Sequence, residues 1–167
     1  MTPSAERTIA YETDLKIGAV QARAYKHYPY ADIGAAIASG SYRTEGMVVA
    51  PCSIRTMSEV AAGVTANLLT RAADVCLKER RKLILMVRET PLHLGHLRTM
   101  TALTEMGAII APPVPAFYAG LSSIDEMIDQ CVLRVVDLLG FDVPALKRWG
   151  EDLKPSRPKP AKSKEPG

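Results

Sequence analysis

The chain reads as an α/β protein built on a parallel sheet, a conclusion drawn from strand character, helix spacing and composition. Three short runs, "GMVVAP" (Gly46 to Pro51), "KLILMVR" (Lys82 to Arg88) and "GAIIAPP" (Gly107 to Pro113), are continuously apolar, the pattern of strands covered on both faces. Helical patterns separate them, as crossovers between parallel strands require. The composition, 47% hydrophobic and 23% charged with only 5% aromatic, suits a globular chain with an aliphatic core.

The intervening segments justify helices one by one. Ala31 to Ser39, Thr56 to Ala62, Ala66 to Glu79 and Leu94 to Met106 carry helical periodicity. In Ser122 to Gly140 the residues Ile124, Met127, Ile128, Cys131, Val132, Val135, Leu138 and Leu139 fall within one arc at 100° per residue, with Arg134 on its border. "SSIDE" offers a serine cap with acids in the first turn, and Gly140 supplies the stop.

The 167-residue length suits one domain, expected over 1–150, followed by a tail at 151–167. Within that tail, "KPSRPKPAKSKEPG" has four prolines and no apolar residue larger than alanine, so it buries too little surface to offset the entropy of ordering. It reads as a disordered, basic Pro/Lys-rich terminus. Its five lysines or arginines against three acids account for +2 of the net charge of +3, leaving the body near neutral. A solvated terminus is therefore favoured over a nucleic-acid contact.

The apolar runs fall far short of the roughly 20 residues needed to cross a bilayer, and no basic-then-apolar signal opens the chain. A cytoplasmic protein with no membrane partner is expected. Cys52, Cys76 and Cys131 are odd in number and widely spaced, which points to reduced thiols.

In parallel α/β sheets ligands gather at the carboxyl ends of the strands. Three polar segments are expected there: "PCSIRT", "RETP" and "PPVPAFY". Ser53 and Thr56 stand around a helix start, where either one caps the helix or an anion binds. Arg88 and Glu89 at a strand end form either a surface ion pair or a fixed cation beside a proton-transfer carboxylate. Arg71 and Lys78, seven residues apart, share a helical face as solvated charges or as ligand donors. Tyr118 offers a hydroxyl and a ring in a proline-rich loop. His93 and His96 lack a nearby third ligand, so no metal is expected.

The ordered segments "ETD", "GMVVAPCSIRT", "LLTRAADVCLKERRKLILMVRETPLHLGHL" and "GAIIAPPVPAFY" strongly resemble the UbiX-like flavin prenyltransferase family from about Thr2 to Trp149. The resemblance implies a three-layer flavodoxin-like fold that binds reduced FMN and joins a dimethylallyl group from dimethylallyl monophosphate to N5 and C6 of the flavin. The product, prenylated FMN, would serve a UbiD-type decarboxylase, and the transfer would need no metal. It also implies a homo-oligomer, a dodecamer built from trimers, with sites between subunits.

By position, Ser53, Ile54, Arg55 and Thr56 match the family's flavin-binding loop and Arg88 its flavin-contacting arginine. Glu89 matches the catalytic glutamate; Glu12 and Lys78 match further active-site charges. Tyr118 and Arg134 match the residues that hold the dimethylallyl phosphate, and Arg71 joins the substrate-binding set. Thr2 stands where the family usually has a serine on the FMN phosphate.

Family members begin with a strand, a "GASGA"-type turn, a helix and a second strand, and the resemblance implies that this unit is lacking here. The favoured explanation is a start placed at an internal methionine. Two other functions compete: a degenerate, non-catalytic oligomeric subunit of an aromatic-acid decarboxylase system, and a flavin-dependent cysteine decarboxylase. Against the latter, "PCSIR" stands where those proteins usually carry "PASAN".

Overall fold

The computed structural model describes residues 1–150, and the expected tail at 151–167 lies outside the described residues. Helices α1 (Pro3–Glu12) and α2 (Ile17–Gln21) precede strand β1 (Gly46–Cys52). Then come α3 (Ile54–Ala61), α4 (Leu68–Lys78), β2 (Lys82–Val87), α5 (Leu94–Glu105), β3 (Ile109–Ile110) and α6 (Ile124–Leu139). The strands are parallel in the order β1-β2-β3, with Gly46 opposite Lys82 and Ile84 opposite Ile109.

β2 explains the layering. Leu83, Leu85 and Val87 join a core cluster with Met57 and Val60 of α3, Ala73 and Cys76 of α4, and Leu103 of α5. Successive strand side chains point to opposite faces, so Ile84 and Met86 look the other way. There Met86 shares a cleft with Val135 and Leu138 of α6. Helices therefore cover both faces, giving the expected three-layer arrangement. Leu83, Ile84 and Leu85 are all 0% exposed, which is why "LILMV" shows no alternation.

Caps set the helix bounds. Ser53 accepts from the Thr56 N–H at 3.2 Å, so α3 begins at Ile54 rather than at Thr56. Asn67 accepts from the Thr70 N–H at 3.0 Å, so α4 begins at Leu68 rather than at Ala66. Gly140, at φ +103°, ends α6 in the left-handed conformation.

Two expectations need correction. Ala31 to Ser39 forms only a 3-10 turn at Ala36–Ala38. Asp32 accepts from the Gly34 N–H at 3.2 Å, a local turn that competes with the helix. The third strand shrinks to Ile109–Ile110, because Pro112 and Pro113 offer no ladder donors. The apolar arc of α6 is only partly covered: Val135 is buried, but Ile124, Ile128 and Val132 are 74%, 54% and 47% exposed.

Helices α1 and α2 were not expected. Thr2 caps α1 by accepting from the Ala5 N–H at 3.0 Å, and Pro3 occupies the first position. No residue of α1 is buried, so no apolar period advertises it. Among the described residues no helix is long and apolar enough to cross a membrane.

Truncating Leu85 to alanine at the sheet centre should lower the unfolding free energy by about 2–5 kcal/mol. Urea denaturation would show this as a lower midpoint with an unchanged slope. A loss below about 1 kcal/mol would mean that β2 is not the packed centre.

Candidate functional site

The loops after β1 and β2 are tied together: the Arg88 N–H donates to the Cys52 carbonyl at 3.3 Å. That bond brings Ser53 and Arg88 to the same carboxyl edge of the sheet. Thr2, Ser53, Thr56 and Arg88 line a cleft of about 580 Å³ that runs along β1 from Met47 to Cys52. Its volume lies within the roughly 300–1,000 Å³ of small-molecule sites.

Ser53 performs the capping role, and its hydroxyl also lies 3.2 Å from that of Thr56. Capping does not remove the site's attraction for anions, since the first N–H groups of α3 and the Thr56 hydroxyl stand at the same helix end. Ile54 packs against the core. Arg55 pairs with Glu59 at 2.8 Å, one turn along α3. Arg88 has no carboxylate partner among the described residues. Hydroxyl donors at a helix start beside an uncompensated guanidinium form a donor set that fits the phosphate of FMN.

Glu89 follows Arg88 on the exposed edge, where its Oε1 accepts from the Thr90 N–H at 3.1 Å. It does not pair with Arg88, so the surface ion-pair reading is not what forms.

A second cleft, of about 250 Å³, brings Tyr118 and Arg134 together with Met86, Ala111, Gln130 and Cys131. It shares no lining residue with the first. The Tyr118 ring packs edge-on against Trp149 at a centroid distance of 5.4 Å. Gln130, 5% exposed, donates to the Lys147 carbonyl at 2.7 Å and accepts from the Lys147 N–H at 3.2 Å. The Lys147 ammonium reaches the Ala119 carbonyl at 3.1 Å. Asp137 bridges two cations, pairing with Arg148 and with Arg134. The Arg148 guanidinium first, then Arg134, hold the Asp137 carboxyl below its ordinary range against the opposing effect of desolvation.

Ile54, Arg55 and Glu89 line neither cleft, and three further expected site residues, Lys78, Arg71 and Glu12, lie outside both as well. Lys78 ends α4, four residues before β2 begins, so it lies at the sheet edge opposite Arg88, paired with Glu79 at 2.5 Å. Arg71 is held by the Ala38 carbonyl at 3.1 Å and by Asp74 at 2.9 Å. Glu12 is the last residue of α1, about 15 Å along the helix from the Thr2 end. His93 caps α5, its Nδ1 accepting from the Gly95 N–H at 3.0 Å.

Gln130, Asp137 and Trp149 were not singled out from the sequence. Gln130 and Asp137 fall outside the apolar arc of α6 at 100° per residue, and Trp149 marks only the end of the resemblance. The available signal was their closeness, in a helical register or along the chain, to Arg134 and Lys147.

Burial pushes the Cys52 thiol up to about 11 from 9.0. About a hundredfold less thiolate than in an unburied thiol is expected near pH 8. Iodoacetamide mapping of the native protein should leave Cys52 unmodified until denaturant is added; rapid native labelling would contradict its burial.

Residues 13–136 match the family described as Flavoprotein. The chain is 56% identical over 149 residues to the flavin prenyltransferase UbiX of Thauera aromatica, covering 89% of this chain and 77% of that one. It is 52% identical over 151 residues to the flavin prenyltransferase UbiX of Escherichia coli (strain K12), covering 89% and 80%. Among solved structures, AnUbiX (PadA1) in complex with FMN and dimethylallyl pyrophosphate superposes with a TM-score of 0.87 at 47% identity, over 89% of this chain and 79% of that one. A dodecameric FMN-dependent UbiX-like decarboxylase from Escherichia coli O157:H7 superposes with a TM-score of 0.85 at 44% identity, over 89% and 80%. Close agreement in sequence and in backbone over most of its length leaves one conclusion: the chain belongs to the UbiX flavin prenyltransferase family.

Proposed function

We propose that this protein transfers a dimethylallyl group from dimethylallyl monophosphate to N5 and C6 of reduced FMN, making prenylated FMN for a UbiD-type decarboxylase. The observation that carries this reading is the pair of clefts with unlike donor sets. One sets Arg88 beside Ser53 and Thr56 in a volume suited to a flavin. The other sets Arg134 beside Tyr118 in a volume suited to a small phosphate ester.

Arg88, Thr56 and the start of α3 hold the cofactor phosphate and orient the ring system, with Thr2 at the rim. Reduced FMN, when bound, supplies the two nucleophilic ring positions. Arg134 and Tyr118 hold the donor phosphate and stabilise the charge it gains as the allylic C–O bond breaks and the electron pair leaves with oxygen. Glu89, next to Arg88, moves a proton during alkylation or phosphate departure. No metal enters this scheme.

Two separate clefts in one chain require a neighbouring copy to complete the site, and a homo-oligomer is part of the proposal. The exposed Ile124, Ile128 and Val132 on α6 support it, as does the dodecameric state of the E. coli O157:H7 relative. Lys78, Glu12 and Arg71 would then act in a site shared with another copy. Closure by neighbours also excludes water from the reacting allyl group, a role the open carboxyl edge of one chain does not fulfil. The relative bound to dimethylallyl pyrophosphate makes that ester a second donor to compare.

The decisive experiment is anaerobic incubation of the purified protein with reduced FMN and dimethylallyl monophosphate, followed by mass spectrometry. A flavin carrying one dimethylallyl unit is expected; an unmodified flavin would overturn the assignment. Glu89→Gln should leave FMN affinity within about twofold while slowing transfer about a hundredfold. Arg134→Ala should raise KM for dimethylallyl monophosphate about tenfold or more with FMN affinity unchanged. Equal weakening of both ligands would place Arg134 elsewhere.

A further inference from the structure

We infer that Asp137 is a positioning residue for the prenyl donor, fixing Arg134 at the Tyr118 cleft by tying it to Arg148. This role depends on Arg134 holding phosphate, as proposed above. Asp137 Oδ2 accepts from Arg134 Nη1, and Oδ1 accepts from Arg148 Nη2. The carboxylate side chain is 16% exposed, against 56% for Arg134 and 38% for Arg148, so the anchor is more sheltered than what it anchors.

The geometry uses only one end of the Arg134 fork. Nε and Nη2 of Arg134 have no intramolecular partner among the described residues, which leaves a pair of N–H donors for an incoming oxyanion. Phosphate recognition by arginine rewards such a pre-set planar fork, because less side-chain freedom is lost on binding. Asp137 stands three residues along α6 from Arg134, in reach on the same helix face.

Arg148, the other end of the tie, is itself well placed. It follows Lys147, whose backbone N–H and carbonyl are both bound by the buried Gln130. Asp137 therefore joins a half-exposed guanidinium to a segment already fastened to the helix. Charge is also balanced usefully. Two guanidinium groups and one carboxylate carry a net +1, so the carboxylate offsets repulsion between the cations without cancelling attraction for phosphate.

Calorimetric titration of dimethylallyl monophosphate into the protein loaded with oxidised FMN measures donor binding without turnover. Asp137→Asn should weaken donor binding about fivefold, the scale of a partly exposed ion pair, and leave FMN affinity unchanged. Asp137→Glu, which keeps the carboxylate, should recover most of the loss. In an Arg134→Ala background, Asp137→Asn should change donor binding by less than about twofold. If Asp137→Asn does not fold, Arg148→Ala removes the other end of the tie and should give the same weakening. Unchanged donor binding in Asp137→Asn overturns the inference alone. A loss that persists in the Arg134→Ala background assigns Asp137 a purely structural role and overturns it too. Absence of donor binding by the unsubstituted, FMN-loaded protein overturns the functional proposal together with this inference.

Discussion

Burial of β2 on both faces is the constraint from which the remaining structure follows. Leu83, Leu85 and Val87 need the α3, α4 and α5 layer, while Ile84 and Met86 need α6, so neither layer is dispensable. The strand can leave this environment only where charge becomes tolerable, and that point is Arg88. A backbone hydrogen bond from Arg88 to Cys52 then fixes the exit of β2 beside the exit of β1. Site geometry is thus a by-product of core packing: the same apolar run that builds the sheet delivers a guanidinium to its edge.

The features legible in the sequence were those with strong one-dimensional signatures. Continuous apolar runs marked β1 and β2, and Ser123 with Gly140 marked both ends of α6. Elements without a buried face were silent, as α1 shows, since its signal was only a Thr-Pro start. Ala31 to Ser39 misled for the opposite reason: small apolar residues imitated a helix period while Asp32 turned the backbone locally. The candidate site divided similarly. Ser53, Thr56 and Arg88 meet because short loops follow neighbouring strands, which sequence order reveals. Asp137 and Gln130 act through partners 11 and 17 residues away, a relation that only the folded return of the chain discloses.

The two clefts handle cationic charge differently. Arg88 stands without a carboxylate among the described residues, whereas Arg134 shares one with Arg148. An uncompensated guanidinium at a helix start suits a tightly held resident anion. On the function proposed above, a guanidinium held in orientation by a carboxylate suits an ester that binds anew in each turnover, because less side-chain freedom is lost at each binding.

The clamp between Gln130 and residue 147 reads main chain, not side chain, through one carbonyl and one N–H. Any residue except proline offers the same two groups. Position 147 can therefore drift among homologues without loosening the latch, while position 130 cannot. A mutational scan would find tolerance and intolerance side by side across a single contact, and residue identity alone would be a poor guide to which side carries the constraint.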